Sequence, residues 1–216
     1  MRAHATDTSA RDRILDAAEA LFARRGFAGV GMSEIAEVVG SSKSTLFHHF
    51  PAKAQLHAAV VERILREIEA ALMRALAAGG TPVERLDRWV DALTDLLGAR
   101  PAHARLLLRS LFEDDELSGA LAEERAADAT LRRLIGGASD LLREGMASGA
   151  LRVANIPHTL QTLIGMSIYH FASGDFGAEL VGRPLFAPAE VRRRKAAIKS
   201  ILHHGLLAPI APRKGS

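Results

Sequence analysis

Residues 40–50, GSSKSTLFHHF, gather small polar side chains into a segment that reads as one short helix. Ser42, Ser44 and Thr45 carry hydroxyls, Lys43 is a lone cation, and His48 and His49 add two imidazoles between the apolar Leu46, Phe47 and Phe50. These groups do not make a catalytic set. The chain has no cysteine, so it has no thiolate nucleophile, disulfide or thiolate zinc site. It also lacks a Gly-rich phosphate loop, an HExxH pair and the paired E-x-x-H sequences of a di-iron bundle. His48 and His49 cannot chelate one ion together, because adjacent residues on a helix point about 100° apart. No catalytic residue, metal or cofactor is therefore expected. What these side chains suit is a slim helix laid in the major groove of duplex DNA. Hydroxyls bond base edges or phosphates, imidazoles bond phosphate oxygens, and an aromatic ring can touch a thymine methyl.

Such a helix needs elements that present it. Gly40 makes a turn after a short helix containing Ile35, Ala36, Val38 and Val39, and Ser42 is a natural N-cap for the next helix, residues 43–49. Glu34, three residues after Gly31, could accept an exposed N–H at the start of the first of these helices. Leu46 and Phe50 lie four apart on one face and are expected to pack on Ile35, Val39 and Leu21, which turns Lys43, Ser44 and Phe47 another way. Together these are the dimensions of a helix-turn-helix. Before it, Ser9 begins a capping sequence, and Ile14, Leu15, Ala18, Leu21 and Phe22 recur at helical spacing up to Gly26, which predicts a helix over about residues 10–25.

The rest of the chain is also helical in pattern. Helices are predicted over about residues 52–78, 82–98, 101–113, a long segment ending near 148 with a possible kink at Gly136-Gly137, 157–173 and 188–204, with a loop at 174–187. Thr81-Pro82-Val83-Glu84 is the strongest start signal: an N-cap Thr, Pro at the first position and Glu at the third. The fold class is therefore all-α, with about nine helices: an N-terminal three-helix head and a larger helical body. Of 216 residues, 48% are hydrophobic and 25% charged, while aromatics make up only 5%, so the core must be mainly aliphatic. The net charge is +3, and residues 1–56 hold seven Lys/Arg against six Asp/Glu. Charge alone is thus weak evidence for nucleic acid, and the DNA argument rests on where side chains point. No apolar run reaches the roughly 18 residues of a membrane helix, and the first residues do not read as a signal peptide. A cytoplasmic protein, nucleoid-associated when bound to DNA, with no membrane partner, is expected.

Residues 9–57 contain the ordered pattern ILDAAxxLFxxxGF, then SEIA, then VGxSKxTLFHHF, then a lysine three residues after Phe50. This resembles the amino-terminal DNA-binding domain of the TetR family of bacterial transcriptional regulators. The resemblance covers about a quarter of the chain, and the body matches only in helix layout. It implies a DNA-binding domain over residues 1–53 and a regulatory, ligand-binding and dimerisation domain over 54–216. It also implies a homodimer that binds a palindromic double-stranded DNA operator, and a repressor released by an unknown small-molecule effector. By resemblance, Lys43, Ser44, Thr45 and Phe47 face the groove, Ser42 caps the recognition helix, and His48, His49 and Lys53 contact phosphate or sugar. Ser33 occupies a DNA-contacting position where Arg is frequent; Gly31, Ser41 and Phe47 stand where a Ser or Thr cap, an apolar turn residue and Tyr are usual.

In the body, the resemblance implies a pairing surface on the last two long helices, where the sequence offers Leu160, Leu163, Ile164, Ser167, Ile168, Phe171, Ile198, Ile201 and Leu202. The helices near 82–113 and 120–148 would hold an effector, with Trp89, His103, Arg109, Phe112 and Met146 as candidate contacts. His203-His204 suits the negative end of a helix dipole, and Arg192-Arg193-Arg194-Lys195 a solvated or intersubunit face. The rival readings are a helical dimeric interaction protein whose head no longer binds DNA, and a helical enzyme.

Overall fold

The computed structural model describes residues 9–110 and 121–206. Ten α-helices fill them: α1 (Ala10–Arg25), α2 (Met32–Val39), α3 (Lys43–His49), α4 (Lys53–Leu76), α5 (Pro82–Ala99), α6 (Pro101–Ser110), α7 (Ala122–Ala147), α8 (Ile156–Ala172), α9 (Gly174–Val181) and α10 (Pro188–Gly205). The all-α class holds, with one helix more than expected. The addition is α9, in the segment read as a loop because of its glycines. Gly177 does not break that helix. It is buried, and a Cβ there would fall 1.9 Å from Ser173 Oγ and 3.0 Å from Leu185 Cδ1. Close packing, rather than chain freedom, requires the glycine. Gly136 and Gly137 lie inside α7, which continues across them.

The chain divides into two compact units, Met1–Glu67 with Ala102–Leu131, and Ile68–Pro101 with Arg132–Ser216. In the first, α1 buries Ile14, Leu15, Ala18, Leu21 and Phe22. Ile35 and Ala36 of α2, Leu46 and Phe50 at α3, and Leu56, Val60 and Ile64 of α4 complete the core. Burying one such side chain contributes about 1.5–3 kcal/mol, so the three short helices are held by this shared interior more than by their own propensity. Val39, expected in this core, is only half-buried, and Val38 is 59% exposed. Ala36 takes the inward place instead. His57 is enclosed edge-on between Phe22 and Phe27, 5.1 and 5.2 Å from their centroids.

In the second unit, α5 starts with the full capping box: the Thr81 hydroxyl accepts from the Glu84 N–H, and the Glu84 carboxylate accepts from the Thr81 N–H. Three side-chain pairs join α5 to α10 in reverse order. Asp87 meets His203 at 2.8 Å, Asp91 meets Lys199 at 2.9 Å and Asp95 meets Lys195 at 2.8 Å. A spacing of four on both helices keeps each set on one face, and the reversed order makes the pair antiparallel. Gly98 allows close approach beyond the last rung, where a Cβ would sit 2.7 Å from Val191 Cγ2. His203 is thus a side-chain hydrogen-bond partner of Asp87 as well as a last-turn residue. The basic run divides its work: Lys195 joins this seam, Arg194 donates to the Met166 carbonyl, and Arg192 and Arg193 are exposed.

Leu160, Leu163, Ser167, Phe171, Ile198 and Leu202 are buried within the single chain. Most of the stripe read as a pairing surface is therefore used internally. The outward faces of α8 and α10 instead carry Gly165, Tyr169, Ala197, Ser200 and Ile201.

Candidate nucleic-acid interface

The turn before α3 is built from backbone geometry. Gly40 has φ 67° and ψ 33°, the left-handed conformation that costs a glycine least. The Ser41 N–H returns to the Ala36 carbonyl at 2.9 Å, closing α2. The Ser42 hydroxyl then accepts from the Thr45 N–H at 3.0 Å and lies 2.8 Å from the Thr45 hydroxyl. Ser42 is therefore a true N-cap of α3, and the hydroxyl of Thr45 is tied to it. The start of α2 differs from expectation: Gly31 gives no side-chain cap, and Glu34 is drawn away to pair with Arg25 of α1. Arg25 also donates to the Gly29 carbonyl, which fixes the α1–α2 connection.

Leu46 is 0% and Phe50 1% exposed, so α3 is anchored by one face. Lys43, Ser44, Thr45 and His48 are exposed on its other sides, Phe47 is 44% exposed and His49 half-buried. The His48 and His49 rings meet edge to face at 5.6 Å. The helix carries no carboxylate, so nothing on it repels a phosphate. Ser33 is exposed on α2. Lys53 is half-buried: its ammonium donates to the Phe27 carbonyl at 3.0 Å and lies 4.2 Å from the Phe27 ring centroid. Arg11, which the sequence reading passed over, is brought against Phe50 with its guanidinium 5.1 Å from the ring centroid. No local pattern relates those two residues.

A partly buried ionic cluster joins α1, α4 and α6 within the first unit. Arg63 of α4 bridges Asp16 at 2.7 Å and Glu19 at 2.5 Å on α1. His103 of α6 is 1% exposed, with Nε2 3.3 Å from Glu19 and 3.9 Å from Glu67. Burial acts to raise the Glu19 pKa, but the His103 imidazole and Arg63 guanidinium beside it outweigh that and hold the carboxyl below its ordinary value.

Of the candidate effector contacts, His103 and half-buried Arg109 belong to the first unit. Trp89, 6% exposed, and half-buried Met146 belong to the second. Phe112 lies outside the described residues. No helix among the described residues is long and apolar enough to cross a membrane.

The sequence profile described as bacterial regulatory proteins, tetR family, matches residues 14–60. An uncharacterized HTH-type transcriptional regulator of Mycobacterium tuberculosis is 44% identical over 77 residues, 36% of this chain and only 38% of that protein. The HTH-type transcriptional regulator RutR of Escherichia coli is 30% identical over 167 residues, 77% of this chain and 74% of its own length. The structure of AibR in complex with isovaleryl coenzyme A and operator DNA shares the fold, with a TM-score of 0.73 over 89% of this chain and 97% of that one at 19% identity. The helix-turn-helix built around Gly40, the likeness to RutR along most of both chains and the shared fold agree, and the chain belongs to the TetR family of bacterial regulatory proteins.

Proposed function

We propose that this protein is a DNA-binding transcriptional regulator, a repressor that binds a palindromic operator as a homodimer and is released by a small-molecule effector. The observation that carries the reading is α3, anchored by Leu46 and Phe50 with Lys43, Ser44, Thr45, Phe47 and His48 left outside on a helix without carboxylates. In this reading Ser33, Lys43, Ser44, Thr45 and Phe47 approach base edges and nearby backbone, while His48, His49 and Lys53 contact phosphate or sugar. Residues 1–53 act as the DNA-binding part and 54–216 as the regulatory and pairing part. No residue has a catalytic role, and the protein works in the cytoplasm on the nucleoid.

A two-fold dimer presents two copies of α3 to successive major grooves, about 34–36 Å apart or a multiple of that spacing. The outward faces of α8 and α10 supply its pairing surface. An effector that favours a different spacing of the two α3 helices need contribute only about 1–3 kcal/mol of coupling to release the operator. α4 is continuous from Lys53 to Leu76 and carries residues of both units, which suits it to transmit that change. AibR, captured with isovaleryl coenzyme A and operator DNA, supports the pairing of effector and operator on this fold.

The test is selection of bound fragments from the source genome, followed by fluorescence anisotropy titration across salt and sedimentation of the free protein. A dimer that binds a palindromic fragment, with affinity falling steeply as salt rises, is the expected result. A dimer that ignores every fragment at low ionic strength would favour the interaction-protein reading, and either that result or a monomer would sink this one.

A further inference from the structure

Arg11 is held in place while, among the described residues, its hydrogen-bond donors remain uncommitted. Its guanidinium lies over Phe50, 5.1 Å from the ring centroid, and it makes no hydrogen bond or ion pair with another described residue. Three other cations of the first unit are already paired. Arg25 is paired with Glu34 and the Gly29 carbonyl. Arg63 is paired with Asp16 and Glu19. Lys53 donates to the Phe27 carbonyl. Lys43 is exposed but rests against no aromatic ring.

Position gives this guanidinium its meaning. Phe50 is the residue that closes α3, directly after His48 and His49. Phe50 itself is 1% exposed, whereas Arg11 is exposed. The ring therefore forms a rigid seat, and the fork of N–H groups lies over the end of the helix proposed to enter the groove. A guanidinium stacked by cation–π contact loses less freedom when it then binds a phosphate in bidentate fashion. We infer that Arg11 is a phosphodiester-binding residue of the DNA interface, held by Phe50 at the C-terminal end of the recognition helix. This rests on the DNA-binding reading of the head and extends its contact surface from α2–α4 onto the first turn of α1.

The plain structural alternative is that the Arg11 stem only shields Phe50 from water. Arg11→Met separates the two, because it keeps an unbranched apolar stem over the ring and removes the charge and the donors. With the selected operator fragment, R11M should bind more weakly than wild type. Its slope of log affinity against log salt should be shallower by about 0.9 for each protomer, the release expected for one phosphate contact on B-DNA. Its thermal midpoint should fall only slightly, by about 1–4 °C, for the lost cation–π contact. Arg11→Lys should keep most of the salt slope and recover part of the affinity. A binding wild type with an R11M variant of equal affinity and equal slope overturns the assignment of Arg11 alone. A wild type that binds no DNA overturns the regulator reading and this assignment with it.

Discussion

The side chain of Lys53 is joined to Phe27 twice, through a hydrogen bond of 3.0 Å to the carbonyl and a 4.2 Å approach to the ring centroid. Lys53 therefore has structural work besides any contact with phosphate. Lys53→Ala should lower the stability of the head by roughly 2–4 kcal/mol, the sum of a cation–π contact and a charged hydrogen bond. It should also weaken DNA binding uniformly across sequences. Lys43→Ala, at an exposed position, should leave stability unchanged and weaken binding with an altered sequence preference. Urea unfolding beside anisotropy titrations on matched and mismatched fragments separates the two; equal changes in sequence preference would show this division of labour to be wrong.

Arg63→Ala should destabilise strongly, because it leaves the shielded Glu19 carboxylate without its guanidinium. The loss should fall below the roughly 3–5 kcal/mol of breaking a fully buried pair, since Asp16 is largely exposed and solvent screens that arm. Glu19 also sets an acid limit. Its pKa is held below the ordinary value, so its contribution is complete above the unfolded-state value of about 4.3 and is lost as pH falls through the folded value. Glu19→Gln should flatten the stability profile in that acid range, measured as the urea midpoint against pH.

His170 also loses stability as pH falls, but because its neutral form is the one the fold favours. Burial first, and the charge of Arg194 second, push its pKa below the ordinary imidazole value, with Glu190 opposing. The folded chain then holds this proton less readily than the unfolded chain. Stability from neutral His170 is present above the unfolded value of about 6.5 and declines as pH falls from there through the folded value. Urea midpoints taken at steps from neutral to mildly acidic pH should fall for the wild type and fall less for His170→Gln. Parallel curves would refute the assignment.

Gly98→Ala tests the α5–α10 contact. A methyl there meets Val191 Cγ2 at 2.7 Å and Cγ1 at 3.2 Å, and a branched side chain cannot swing aside as a long one does. Overpacking of this kind costs about 1–3 kcal/mol, against a gain of up to about 1 kcal/mol in helix propensity. A net loss is expected in thermal unfolding. Adding Val191→Ala should recover part of it; a stabilised single variant would show that the helices separate easily.

The sequence alone determined the helical class, the bounds of α1 and α3, the Ser42 and Thr81 caps and the outward polar face after Gly40. Each of these depends on residues within a turn or two of one another, where spacing and capping chemistry act directly. Long-range proximity was decided only by tertiary structure. Packing made Gly177 a contact residue inside α9, took up the Leu160–Phe171 stripe within the chain and drew Glu34 to Arg25. It also aligned Asp87, Asp91 and Asp95 with His203, Lys199 and Lys195 of α10, and placed Arg11 on Phe50. None of these pairings leaves a local periodic signal, because the partners meet only when the chain has folded around a common core.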